Sequence, residues 1–308
     1  MPERVRRVRD HMELGISLPQ FGAHAQYADR VGWFADRAEQ LGVHSLWVAE
    51  RLIAPAQPSV PYPGTSGIPK QYRQRLDPFA LLSVAAAHTD RVRLGSNVLV
   101  SPLYPPAFLA RILTTIDLIS AGRLLAGFGI GWSPEEYAAM GVPFERRGKR
   151  LDESLDALET LWTESTAEYT GQLWTVPATR EELRPAQRPH PPVYLSAFGD
   201  AALDRIGKRA DGWLPMVTDA EPDTIRLLRE RRERIDEQAR AAGRDPARIE
   251  TVLRINPPAS ADLDTVIALT GGLLDGTGIE HVLVNLQSVT GEPEQTLDHA
   301  EKLLAALR

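Results

Sequence analysis

The feature that most constrains this chain is a repeated passage from a short apolar run to a longer stretch of helical period. The run 14–18 is followed by a turn at 19–22. Then Val31, Phe34, Ala35, Ala38 and Leu41 recur at helical spacing across 25–41, Gly42 supplies a stop, and a second apolar run at 45–48 follows directly. Strand, helix, strand with short turns is the unit of a parallel sheet, because parallel neighbours need a crossover connection rather than a hairpin. The unit recurs as helix 77–88, strand 92–100, helix 106–119 and strand 123–129, then as strands at 193–197, 212–215, 251–255 and 281–286 with helical sequence between or after them. Eight strands alternating with helices predict an α/β fold, a (β/α)8 TIM barrel, as one domain over 12–308, with 1–11 read as a flexible N-terminal arm. An open doubly wound sheet shares the alternation. Against it, the turn after the first strand reads LPQFG and contains no GxGxxG phosphate loop.

Two insertions interrupt the alternation, after strands 2 and 4, and each begins at the C-terminal end of its strand. Segment 49–76 carries Pro55, Pro58, Pro61, Pro63 and Pro69 together with Tyr62 and Tyr72. The other runs from Trp132 through a helix at 147–163 to a hairpin at 168–176 turned at TGQ. Barrel active sites are built on that face, so the insertions are the expected walls of a pocket. Composition narrows the partners. With 35 Lys and Arg against 41 Asp and Glu the net charge is −6, which lacks the basic footprint of a nucleic-acid binder, and the RERRER run at 229–234 reads as a solvated helix face. There is no cysteine, which removes disulfides, thiolate metal sites and a cysteine nucleophile. The histidines show neither HExxH nor pairs four apart, so no metal is expected. No apolar run reaches the ~18 residues of a membrane span, and a cytoplasmic protein acting on a small molecule is the expectation.

Two glycine-containing segments stand at strand ends. Gly127-Phe128-Gly129-Ile130-Gly131-Trp132 closes the fourth strand, where alternate glycines either let backbone N–H groups approach a ligand or simply relieve crowding. The third strand ends Gly95-Ser96-Asn97-Val98-Leu99-Val100-Ser101-Pro102, which alone reads as an ordinary buried strand stopped by proline. Taken together over 91–153 the two segments resemble the luciferase-like monooxygenase superfamily. GIGW followed by EEYAAMGVPFERRGKRLDE is similar to a subgroup described as F420-dependent oxidoreductases. GISLPQFG, SLWVAER and PVYLSAFGDAALDRIGKRADGWLP extend the likeness, which is continuous from 12 to 217 and weak beyond.

The resemblance implies a barrel that binds coenzyme F420 or, alternatively, FMN, and it implies a homodimer. It puts a non-prolyl cis peptide at Asn97-Val98, packed against the coenzyme ring. Glu50-Arg51 stands where many F420-dependent relatives carry Asp-His, so Glu50 is a candidate partner of the deazaflavin head and Arg51 of reduced ring or substrate; a surface ion pair is the other reading. Trp132 replaces the glutamate of the sugar-phosphate dehydrogenase branch and, with Phe21 and Trp213, is a candidate wall of an apolar or planar pocket. Ile130 lies where bacterial luciferase carries an arginine that contacts flavin phosphate, which favours F420. Gly129 and Gly131 flank it as cofactor candidates. Ser196, Ala197, Phe198 and Gly199, between a strand and a helix, are candidates to receive a phosphate, and Arg147 and Arg150 either assist or face solvent. His24 is the one histidine placed to act as acid or base. Three functions follow in order: hydride transfer between F420 and a small organic substrate, an FMN-dependent monooxygenase, and a non-catalytic ligand-binding barrel.

Overall fold

The computed structural model describes residues 11–63 and 65–307; the expected arm at 1–11 lies almost wholly outside them. The strands are β1 (Glu13–Ser17), β2 (Ser45–Val48), β3 (Arg93–Ser96), β4 (Leu99–Val100), β5 (Leu124–Gly129), β8 (Val193–Leu195), β9 (Gly212–Trp213), β10 (Met216–Val217), β11 (Glu250–Ile255) and β12 (His281–Val284), with β6 (Thr166–Thr170) and β7 (Thr175–Arg180) forming a separate antiparallel hairpin. All pairings of the main sheet are parallel. β1 pairs with both β2 and β12, and β11 joins β9 and β10 to β12, so the sheet closes on itself with eight positions. The barrel expected from the alternation is therefore the observed fold.

Helices α1 (Val31–Gln40), α2 (Pro78–Ala87), α3 (Pro106–Ile119), α5 (Arg147–Thr163), α6 (Asp200–Arg209), α7 (Pro222–Ala241), α8 (Leu263–Thr277) and α9 (Pro293–Leu307) surround it, and a short α4 (Pro134–Ala139) lies in the second insertion. Their boundaries follow local chemistry. Asp77 caps α2 by accepting from the Ala80 N–H at 2.8 Å with Pro78 in the first turn, and Asp262 caps α8 through the Thr265 N–H. The helix read over 25–41 is corrected: residues 22–30 form 3-10 turns broken at Tyr27, and α-helix starts only at Val31. GAHAQYADR offers no apolar stripe to bury, whereas Val31, Phe34, Ala35 and Ala38 do.

Inside the barrel, Trp47, Leu125, Tyr194, Leu214, Val252 and Leu283 make a compact core of their own. Trp47 and Tyr194 occupy the room that two glycines leave: a Cβ on Gly95 would stand 2.3 Å from the Trp47 ring and one on Gly212 2.0 Å from the Tyr194 ring. The strand read as continuous over 92–100 is split between Ser96 and Leu99, and the one read over 212–215 ends at Trp213 and resumes at Met216–Val217 past Leu214, whose side chain turns inward. Among the described residues no helix is long and apolar enough to cross a membrane.

Candidate active site at the barrel mouth

The split in the third strand is the Asn97–Val98 peptide bond, which is cis. Its surroundings hold it from several sides. The Asn97 N–H donates to Val48 O at 2.8 Å, the Glu50 N–H donates to Val98 O at 3.1 Å, and the Arg254 guanidinium donates to Asn97 O at 2.7 Å. From the far side the backbone of β5 closes in: a Cβ on Gly127 would fall 1.7 Å from Ser96 O, and one on Gly129 2.6 Å from the Val98 side chain. Of the two sequence readings of these glycines, close approach of chain to chain accounts for Gly127 and Gly129. Gly131 turns the chain at φ +65°, against Val100.

Glu50, a candidate coenzyme contact, is engaged within the chain. It is 5 % exposed; one carboxylate oxygen accepts from the Val100 N–H and the other from the Tyr104 hydroxyl. Side chain and backbone thus clamp 98–104 to the end of β2, a positioning role. Burial pushes its pKa up to about 7 against the lowering influence of those two donors, and the nearby Glu136 adds to the rise. Arg51 lies among the aromatics of the two insertions. It pairs with buried Glu136 at 3.4 Å, and its guanidinium lies 5.1 Å from the Trp132 ring centroid and 5.9 Å from that of Tyr72.

Sequence reasoning passed over Glu135 and Glu136, which stitch the two insertions together. The Leu52 N–H donates to Glu136 at 2.8 Å and the Ser59 N–H to Glu135 at 2.6 Å. The Ser59 contacts hold the Glu135 carboxyl down at about 2. Two adjacent acids opening a short helix after a proline were the available signal. Above this seam Tyr62 meets both Tyr72 and Trp132, and Phe21 meets Tyr72, with ring centroids 5.3–5.5 Å apart. Of these aromatics Phe21 and Tyr72 line a cavity of about 210 Å³, with Ser17, Trp47, Arg254 and Asn285. Phe21 and Trp132, expected in a pocket, are thus brought together by the first insertion.

Beyond Gly131 lies a second group. The Tyr137 hydroxyl donates to Ile130 O, and Arg147 and Arg150 both bear electrostatically on that phenol. Arg147 stacks on Phe144 at 4.2 Å and Arg150 faces Trp174 at 5.3 Å. Arg150 is 6 % exposed, and the Nε atoms of both arginines, the Asn97 side-chain amide nitrogen and the Trp132 indole nitrogen are buried without a hydrogen-bond partner. Buried donors without acceptors are costly, and their gathering at one end of a barrel marks a place built for something else.

Other expected residues sit elsewhere. Trp213 points outward into the layer between barrel and helices, its indole N–H reaching Ala197 O at 3.4 Å, because Leu214 takes the inward position; it lines no mouth. His24 is buried against the segment after β12, its Nε2–H donating to Thr290 O at 3.1 Å, and burial lowers its pKa. Ser196 donates its N–H to Phe128 O, Ala197 is buried, and Phe198 is half exposed with Arg231 5.8 Å from its ring centroid. Gly199 precedes the first turn of α6.

Comparison with known proteins agrees with this architecture. The sequence profile described as luciferase-like monooxygenase matches residues 12–305. Among curated relatives, an uncharacterized protein of Mycobacterium tuberculosis, Rv0953c, is 33% identical over 198 residues, covering 63% of this chain and 70% of its own. An F420-dependent glucose-6-phosphate dehydrogenase of Amycolatopsis mediterranei is 29% identical over 59% of this chain and 51% of its own. The oxygenase component of a flavin-dependent trigonelline monooxygenase of Acinetobacter baylyi is 30% identical over 52% of this chain and 40% of its own. Among solved structures, monooxygenase RslO1 of Streptomyces bottropensis superposes with a TM-score of 0.77 at 21% identity, covering 96% of this chain and 98% of that one, a likeness of fold. With the profile spanning nearly the whole described barrel, the chain belongs to the luciferase-like monooxygenase family.

Proposed function

We propose that this protein is an oxidoreductase that binds a flavin or deazaflavin at the barrel mouth, and that the coenzyme is F420, exchanging a hydride with a small organic substrate. The observation that carries the coenzyme class is the pair Arg147 and Arg150, whose buried Nε atoms find no acceptor among the described residues. F420 and FMN both carry a phosphate, and a phosphate would supply the missing acceptor. The residues present fit such a group: the two arginines would hold its phosphate end, and the Asn97-Val98 ridge with the unpartnered Asn97 amide would face its ring system.

When bound, the coenzyme supplies the two-electron chemistry, and the protein supplies position and environment. Arg51, fixed by Glu136, presents a cation at a wall made of Trp132 and Tyr72, which suits a planar or apolar substrate and keeps water out. Ile130 places an aliphatic side chain rather than a cation at the turn after β5, which supports F420 over the flavin arrangement to which the sequence was likened. The second reading, an FMN-dependent monooxygenase, draws on the flavin-dependent relative. The homodimer belongs to this proposal too: Trp33, Val84, Phe108, Leu118 and Ile119 leave large apolar side chains exposed on α1, α2 and α3.

Equilibrium titration of the purified protein with F420 and with FMN, followed by fluorescence, tests the assignment. Micromolar binding of F420 with little of FMN is the expected result. Preference for FMN, with substrate-dependent oxygen uptake, would transfer the site to the monooxygenase reading, and binding of neither would leave a non-catalytic barrel.

A further inference from the structure

The opposite end of the barrel holds a second cluster that the mouth chemistry does not use. Glu13 opens β1 and His281 opens β12, and the two are register partners across the seam where the first and last strands meet. His44 immediately precedes β2, with its N–H on Leu14 O at 2.7 Å and its carbonyl accepting from the Arg93 N–H at 3.0 Å. All three residues are therefore fixed by the barrel's own backbone bonding. One Glu13 carboxylate oxygen lies 3.5 Å from His44 Nε2 and 3.6 Å from His281 Nδ1, and the three donor atoms lie within 4.8 Å of one another.

The partners on the far sides of the rings explain why these atoms face one another. His281 Nε2 lies 2.8 Å from Ser45 Oγ, which also accepts from the Trp47 indole N–H at 2.7 Å. A serine oxygen has two lone pairs, so it can accept from both, and in that arrangement His281 Nδ1 turns a lone pair toward the carboxylate. His44 Nε2 is buried and has no hydrogen-bond partner. Arg93, the nearby cation, is itself paired with Glu250 at 3.3 Å.

We infer that Glu13, His44 and His281 form a divalent metal site, zinc by its donor set, that ties β1, the start of β2 and β12 together at the barrel seam. Metal–ligand bonds of ~2.0–2.1 Å at tetrahedral angles put ligand atoms about 3.3 Å apart, close to the two Glu–His separations seen here. Two imidazoles and a carboxylate suit zinc better than magnesium or calcium, which prefer all-oxygen sets. The Ser45 contact to His281 is the kind of outer hydrogen bond that orients a ligating imidazole. Glu13 and His44 are 44% and 31% exposed, which gives a metal entry and a water the fourth position.

The test uses tag-free, full-length protein stripped with chelator. Titration with zinc against a chromophoric chelator should give one metal per chain, and cobalt should give the strong visible bands of a four-coordinate site. His44→Gln and Glu13→Gln alter partly exposed side chains and should fold as the parent does by circular dichroism, yet each should weaken zinc at least ~10-fold. A wild-type protein that takes up less than one equivalent at ~10 μM zinc would overturn the inference, as would zinc affinity unchanged in both variants. Coenzyme binding at the other end should be the same with and without chelator, so this site and the mouth assignment stand or fall separately.

Discussion

The two ends of the barrel handle buried polarity in opposite ways. At the N-terminal end Tyr194 donates to Glu250, Glu250 pairs with Arg93, Trp47 donates to Ser45, and Ser45 meets His281, while ligand atoms of Glu13, His44 and His281 face one another. At the C-terminal end Asn97, Trp132, Arg147 and Arg150 leave donors buried and unmet. One closed parallel sheet runs between the two ends, so the difference comes largely from outside the barrel. It comes largely from what is attached: short turns at one end, and at the other two insertions tied together by Glu135 and Glu136 in an arrangement that no acceptor among the described residues completes. The N-terminal end leaves one compact cluster of facing ligand atoms, whereas the C-terminal end leaves buried donors on several of its walls.

The largest effect should come from Arg150→Met. Losing a buried charge that meets a phosphate costs about 2–5 kcal/mol, so coenzyme affinity measured by fluorescence should fall at least ~30-fold. The same variant should melt no lower than the parent when free of coenzyme, because it removes a buried cation whose Nε lacks a partner. Unchanged affinity would break the contrast between the two ends. Gly127→Ala comes next: its Cβ would meet Ser96 backbone oxygen rather than a movable side chain, and denaturant unfolding should show a loss on the order of 3 kcal/mol.

Glu50 gives a pH signature of similar size. Its folded pKa of about 7 lies above that of an unfolded carboxyl, so the folded state holds a proton that the unfolded state has released. The resulting stability is complete below pH ~4.5 and is lost as pH rises through 7. Glu50→Gln should therefore gain on the parent between pH 5 and 8 by roughly 3 kcal/mol in urea unfolding. A constant offset would show that the carboxyl is ionised throughout. The smallest effects separate the two tryptophans. Trp132→Phe should raise the substrate KM several-fold, about 1 kcal/mol, with stability little changed, whereas Trp213→Phe should leave KM alone and lower the melting temperature by a few degrees.

The barrel, its eight strands, the places of both insertions and the hairpin after the long helix were legible in the chain, because period and turn chemistry are local properties. Even the pair of glycines at 127 and 129 announced a tight place. The sequence by itself could not say which side of a short strand points inward: Trp213 and Leu214 are neighbours, and only the packing of the closed sheet sends the tryptophan out and the leucine in. Nor could it tell that Glu50 turns under the ridge to meet Val100 and Tyr104 while the next residue lies among the aromatics of the two insertions. Glu13, His44 and His281 showed no ligand spacing because His281 lies more than 230 residues beyond the other two; barrel closure alone makes β1 and β12 neighbours. Local periodicity determined the elements, and the closing of the sheet decided which side chains meet.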